Sequence, residues 1–345
     1  LQEILEGVIE KQAQQVCIDP NANAFNESAN GQGFQDETKL NDYVWERKYE
    51  VDSLCAPLYL SYTYWKTTGI DRIFTQTWHE MLEHIVETFT TEQEHGNSEY
   101  YFRRHDCVKS DTLPVRGKGR SVNVTGMTWS GFRPSDDCCK FGYLIPANMM
   151  AVTALGYGEQ ICRECYGDEA LAERCHVLKE EILDGIMTYG IVEKPGYGKI
   201  YSYETDGYGN YNLMDDANSP SLLSMPYLGF CGKEDELYRN TRRFILSPEN
   251  PYYYEGKQAK GMGSPHTPAG YVWQIGIVMQ ALTSNDREEI LSCLKMLADT
   301  HAGTNYMHEG FDPNEPEAYT RSWFAWANTL FAELLDNLME EDFFR

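Results

Sequence analysis

The sequence predicts an all-α fold in which paired helices stack into a closed toroid. Three observations carry this. Apolar residues recur at helical spacing through most of the 345 residues, long loops alternate with short ones, and no stretch has the composition of a linker. Taken in order, the first helix runs from about Gln2 to Val16 and a Gly, Asn and Gln-rich loop follows from Asn21 to Gln35. Helices over Tyr49 to Thr67 and Ile70 to Thr91 follow from Leu54, Leu58, Tyr62 and Trp65, then Ile73, Trp78, Leu82 and Ile85. From Asn97 to Pro134 the pattern changes: Val122 and Val124 alternate as in a strand, broken by Gly117, Gly119, Gly126 and Gly131. Helical spacing returns at Gly142 to Leu155, at Glu169 to Tyr189 and, after a Tyr and Gly-rich insertion from Lys194 to Tyr211, at Ser219 to Gly229. The last third adds Glu234 to Leu246, Ala269 to Ser284, Asp286 to His301 and Tyr319 to Asn337; ten segments are thus delimited, and about eleven helices are expected in all. The long loops, rich in Gly, Tyr, Trp and carboxylates, gather the functional residues at one end of such a ring. A single domain over 1–345 follows.

Composition narrows the function. A net charge of −24 and a pI near 4.7 leave no spare positive surface for phosphates, so no nucleic acid and no anionic membrane is expected as a partner. Aromatics reach 13%, with 24 Tyr and 7 Trp, a surplus that suits both a sugar-binding cleft and ordinary packing. No stretch of 18 apolar residues occurs, and the chain opens on Leu1 without a basic stretch followed by an apolar one, so neither a membrane span nor a signal peptide is read. Among ten cysteines, Cys138 and Cys139 are adjacent, and Cys162, Cys165 and Cys175 fall in helical segments. That is no disulfide framework, and the expected compartment is reducing, hence cytoplasmic. The sequons at Asn26 and Asn123 are short patterns that a chain of this length holds by chance.

The densest chemical segment is 126–137, GMTWSGFRPSDD, read as a loop entering a helix near Cys138. Ser135, Asp136 and Asp137 sit where an N-cap belongs, and a capping Asp beside a solvated one is the plain structural reading. Trp129, Phe132 and Arg133 add a ring face, an apolar wall and a fixed cation beside a carboxyl pair whose mutual repulsion suits an acid catalyst. A second carboxylate cluster follows Met307. Glu315 and Glu317 read as favouring a helix N-terminus, whereas Glu309 stands before the turn where a charge can face inward. Two carboxylates on separate loops framed by Trp and Tyr are what a glycosidase needs. Weaker groups are Asp52 on an early helix, Asp216 in 215–220, where a capping role is as good a reading, and His266 between prolines before Trp273. Cys162, Cys165, Cys175 and His176 have a zinc-like spacing but lie in helical segments among Leu, Ile and Val, so no metal is expected there. No phosphate loop and no serine elbow occurs.

The runs 126–137, FGYLIPANM at 141–149, MDDANSPS at 214–221, GSPHTP at 263–268 and MHEGF at 307–311 resemble the metal-independent α-mannosidases of glycoside hydrolase family 125, from about Val44 to Leu335. The resemblance implies an (α/α)6 barrel and exo-hydrolysis of non-reducing terminal α-1,6-linked mannose with inversion, without cofactor or metal. It also implies a mannose-containing, N-glycan-derived oligosaccharide as partner, Asp136 of the Arg-Pro-Ser-Asp motif as general acid, and Glu309 of the His-Glu-Gly-Phe motif as general base. Asp136, kept protonated by Asp137 and burial, then protonates the glycosidic oxygen while Glu309 deprotonates a water. An inverting pair of this kind stands roughly 6.5 to 9.5 Å apart. Trp129, Arg133, Asp52, Asp216, His266 and Trp273 are the expected sugar contacts. The Trp-Leu-Arg-Asp-Ser motif of the family's N-terminal stretch is absent, so the expectation is an N-terminally truncated catalytic domain with an incomplete first helical pair. Two rivals are a zinc-dependent enzyme on an α/α toroid and a catalytically inactive mannose-binding protein.

Overall fold

A computed structural model describes residues 1–343, and the chain divides into two compact units: Leu1–Gly190 with Glu204–Asn212, and Ile191–Tyr203 with Leu213 onward. Ten α-helices stand among the described residues where about eleven were expected.

In the first unit, α1 (Gln2–Ile18) buries Ile9, Ala13 and Val16 and packs on α3, leaving Leu1, Ile4, Val8 and Ile18 exposed. Helix α2 (Val51–Thr68) ends at Gly69, whose φ of 73° provides the left-handed C-cap. Helix α3 (Gln76–Gln93) begins later than the periodicity implied because the Thr75 hydroxyl caps it, accepting from the Trp78 amide. Its stripe of Trp78, Met81, Leu82, Ile85, Val86 and Phe89 is buried, and the Trp78 indole N–H donates to Ser61 of α2. After the single turn α4 (Pro114–Gly117) come α5 (Ile145–Ile161) and α6 (Glu169–Tyr189), which pack on each other; Asp168 caps α6 through the amides of Ala170 and Leu171.

Two expectations fail here. Val122 and Val124 lie outside any strand, and the three-stranded sheet pairs Tyr143–Leu144, Glu204–Thr205 and Tyr211–Asn212 instead. No helix starts near Cys138: Phe132 and Cys138 form an antiparallel bridge, so the caps expected of Ser135, Asp136 and Asp137 are turn residues, and α5 begins only at Ile145.

The second unit opens with a hairpin, Ile191–Lys194 against Gly198–Tyr201, in what read as an irregular insertion. Helix α7 (Glu236–Ile245), capped by Asp235, packs on it, with Thr241 accepting from the Tyr201 amide. The segment 219–229 is a chain of turns and not a helix, its start held by the buried Asp215 carboxylate, which accepts from the amides of Leu222 and Leu223. Helices α8 (Gln274–Leu282), α9 (Arg287–Asp299) and α10 (Ala325–Glu340) form the core, α8 packed against both others. Helix α8 starts five residues later than read because Val272 and Trp273 pair with Gly310 and Phe311. Helix α10 likewise starts at Ala325, since Tyr319 bridges Phe311, so Glu315 and Glu317 do not sit at a helix N-terminus.

Candidate active site

Segment 131–139 of the first unit is a tight reversal. The amides of Gly131 and Phe132 both donate to the Tyr49 carbonyl, Asp136 N–H donates to Arg133 O at 2.9 Å, and Cys139 N–H donates to Gly131 O at 2.9 Å. Asp136 occupies its tip with φ of 68°, in the left-handed region that Asp tolerates better than most residues. Its side chain is 48% exposed while Asp137 is buried, so Asp136 bears the accessible carboxyl of the pair, and the burial expected of it is not observed. Asn23 Nδ2 donates to its Oδ1 at 3.4 Å, and Lys48 Nζ lies 3.9 Å from the same oxygen.

The other residues expected in this unit are placed as follows. Arg133 is buried and reaches Glu204 with Nε and Nη2, each 2.7 Å from Oε1, so this edge of the guanidinium is committed to the protein. Trp129 is 1% exposed, its ring stacked 3.5 Å from His95, and it has no face open to a sugar. Asp52 stands in the first turn of α2 with a buried Oδ1 that has no hydrogen-bond partner. Burial, with the Asp136 charge adding to it, pushes its carboxyl up to about 7. Glu50 is pushed well above the usual range by burial and by the charges of Asp52 and Asp136.

A pH dependence follows. Between the ordinary Asp value of 3.8 and about 7 the unfolded chain gives up the Asp52 proton while the folded chain keeps it. The unfolded state then binds fewer protons, and stability falls as pH rises through this window. Thermal melts should show Asp52→Asn flattening that slope; an unchanged slope would refute the protonated Asp52.

In the second unit Glu309 is held from both sides. Its neighbour His308 is fully buried, ring stacked 3.9 Å and parallel on Tyr319, and its amide donates to Gln274 Oε1, whose Nε2 is tied to Thr300. Gly310 pairs with Trp273 and exchanges bonds with Thr320, and Met307 is gripped by Asn328. Glu309, 5% exposed, pairs with Arg321 Nε at 3.1 Å. Asp216 is buried beside Asp215, whose carboxyl burial pushes up to about 8. His266 is exposed, edge-on to Trp273, which is itself 1% exposed with its indole N–H given to Thr267.

Sequence reading missed Arg321 as the partner of Glu309, Glu204 as the partner of Arg133, and Lys48 within reach of Asp136, because nothing in their spacing marks a partner distant along the chain. Cys162 and Cys175 do meet, within hydrogen-bond reach of each other, but His176 Nδ1 faces Glu159 and Lys179, and among the described residues no three His, Cys, Asp or Glu gather as a metal site. No helix of the described residues is long and apolar enough to cross a membrane.

Two carboxylates thus stand out, one accessible on a rigid turn of the first unit and one cation-paired on a clamped strand end of the second. Residues 1–335 match the family model described as metal-independent alpha-mannosidase, glycoside hydrolase family 125, and the chain belongs to this family. It is similar to an α-mannosidase structure from Streptococcus pneumoniae, in non-productive complex with α-1,6-mannobiose, at 45% identity and TM-score 0.96, covering 99% of this chain and 81% of that one. It is 42% identical over 357 residues to the meiotically up-regulated gene 157 protein of Schizosaccharomyces pombe, spanning 98% of this chain and 70% of that protein. A bacterial glucoamylase complexed with acarbose shares the fold alone, at 11% identity and TM-score 0.60 over 87% of this chain and 42% of the glucoamylase.

Proposed function

We propose that this chain is an exo-acting, inverting α-mannosidase that removes non-reducing terminal α-1,6-linked mannose from N-glycan-derived oligosaccharides. The observation that carries the reading is the likeness, over 99% of the chain, to an α-mannosidase that binds α-1,6-mannobiose. Asp136 is the general acid, giving its proton to the departing glycosidic oxygen, and Glu309 the general base, taking one from the attacking water; each such role contributes about 10²–10⁴ in rate. Asp52 and His266 remain the proposed sugar contacts, whereas Asp216, Trp129, Arg133 and Trp273 are buried and support their loops from within the core. The fold is read as a single (α/α)6 catalytic toroid, supported by the likeness to glucoamylase. A cytoplasmic setting is supported by ten cysteines that all stand free.

The test is NMR of α-1,6-mannobiose hydrolysis with and without EDTA. β-Mannose should appear first, at a rate that exhaustive chelation leaves unchanged. α-Mannose first would replace single displacement by a retaining mechanism. Activity lost to chelator and restored by one metal would overturn the metal-free chemistry, and affinity without turnover would favour the inactive binding protein.

A further inference from the structure

Lys48 is 3% exposed, yet its ammonium is not aimed at solvent or at one partner. Nζ donates to the backbone carbonyl of Asp136 at 3.1 Å and to Asp111 Oδ1 at 2.5 Å, and lies 3.9 Å from both Glu46 Oε1 and Asp136 Oδ1. Nζ lies over the Phe132 ring, 5.3 Å from its centre. Its own amide donates to Asn23 Oδ1, and Asn23 Nδ2 in turn reaches Glu46 and Asp136. Arg104 closes the network from behind, bound to Asp36, Glu46 and Asp111.

A buried lysine costs several kcal/mol unless its charge is matched. Here Asp111 and Glu46 match it and hold its proton more firmly than usual against the opposing effect of burial. The carbonyl of a residue in the left-handed region is costly to hold and free to flip unless something fixes the peptide that follows it. Lys48 fixes this one, and with it the ψ of Asp136, which together with φ sets the Cα–Cβ bond from which the carboxyl hangs.

We propose that Lys48 is a positioning residue for Asp136, clamping its carbonyl so that the carboxyl points at the leaving-group oxygen. This rests on the reading of Asp136 as general acid. A purely structural lysine would weaken every reaction of the enzyme alike, whereas a residue that aims the acid matters only where the leaving group needs a proton.

The experiment compares α-1,6-mannobiose with α-mannosyl fluoride, whose fluoride departs without protonation, for wild type, Asp136→Asn, Lys48→Met and Lys48→Arg of the full chain. The readout is the ratio of the two rates on one preparation, so a reduced folded fraction cancels. Asp136→Asn should lose about 10² or more on mannobiose and far less on the fluoride. Lys48→Met should follow the same pattern, losing roughly 10- to 100-fold on mannobiose at similar KM while keeping the fluoride rate. Lys48→Arg, which keeps the charge and can still donate to both oxygens, should lie between it and wild type. Equal losses by Lys48→Met on both substrates, or none on either, overturn the positioning role while leaving Asp136 as acid. If Asp136→Asn itself loses equally on both, the acid reading fails and the role of Lys48 falls with it.

Discussion

Asp136→Asn and Glu309→Gln are each expected to lower kcat on α-1,6-mannobiose by about 10² or more while leaving the melting transition in place. Both changes keep the shape of the side chain and remove only what the chemistry needs, a proton to give or a charge to accept one. Glu309 is nearly buried and ion-paired to the exposed guanidinium of Arg321, so the amide forfeits one pair at a site whose backbone is fixed by Trp273, Thr320 and Asn328. The Asp136 carboxyl accepts from Asn23 Nδ2 at 3.4 Å, and the oxygen of an Asn side chain can accept in the same way. Steady-state kinetics beside a thermal melt decide it: near-normal turnover by either variant removes that residue from the mechanism.

The second large effect concerns stability. Arg133→Met and Glu204→Gln should each lower the unfolding free energy by about 3–5 kcal/mol, the usual consequence of leaving one partner of a buried pair alone. Glu204 is fully buried and takes, besides the two Arg133 bonds, the amides of Lys140 and Phe141 at 3.3 Å each and Asn212 Nδ2 at 3.0 Å. The pair ties the base of the Asp136 turn to the three-stranded sheet. Denaturant titrations measure the loss, and the double variant should cost less than the sum of the singles because the two changes break one interaction. A loss under about 0.5 kcal/mol would class Arg133 with ordinary surface positions.

Helices whose buried stripe lies within one segment were legible: α6 was read with its observed ends, and α3 through Trp78, Leu82 and Ile85. What escaped was decided by distant partners. Ser219 to Gly229 has helical spacing, but Asp215 draws the amides of Leu222 and Leu223 into turns. Ala269 to Trp273 reads as helix until Trp273 is claimed by a strand 37 residues further on. The same divide runs through the site. Asp136 and Glu309 were singled out because motifs carry them, whereas Arg133 and Trp129 were given to the sugar because a sequence shows residue type and not which side of a loop faces the core. Arg133 has Glu204 as its partner and Trp129 has His95, and neither partner could be inferred from spacing.

The left-handed backbone at Asp136 also governs which variants are informative there. Asn is the residue type that shares Asp's tolerance of positive φ, and Ala is not. An alanine at this tip would add strain of about 1–2 kcal/mol to the loss of the carboxyl, and the turn could relieve it by flipping away from Lys48. Its kinetics would then mix two causes. A Glu, though it restores an acid, would meet the same penalty and so would make a poor test of whether chemistry alone was lost. Mutational scans that use alanine throughout would overstate the chemical contribution of this position, and the size of the overstatement, read as the difference between the Ala and Asn variants, would measure what the left-handed backbone costs a residue that does not tolerate it.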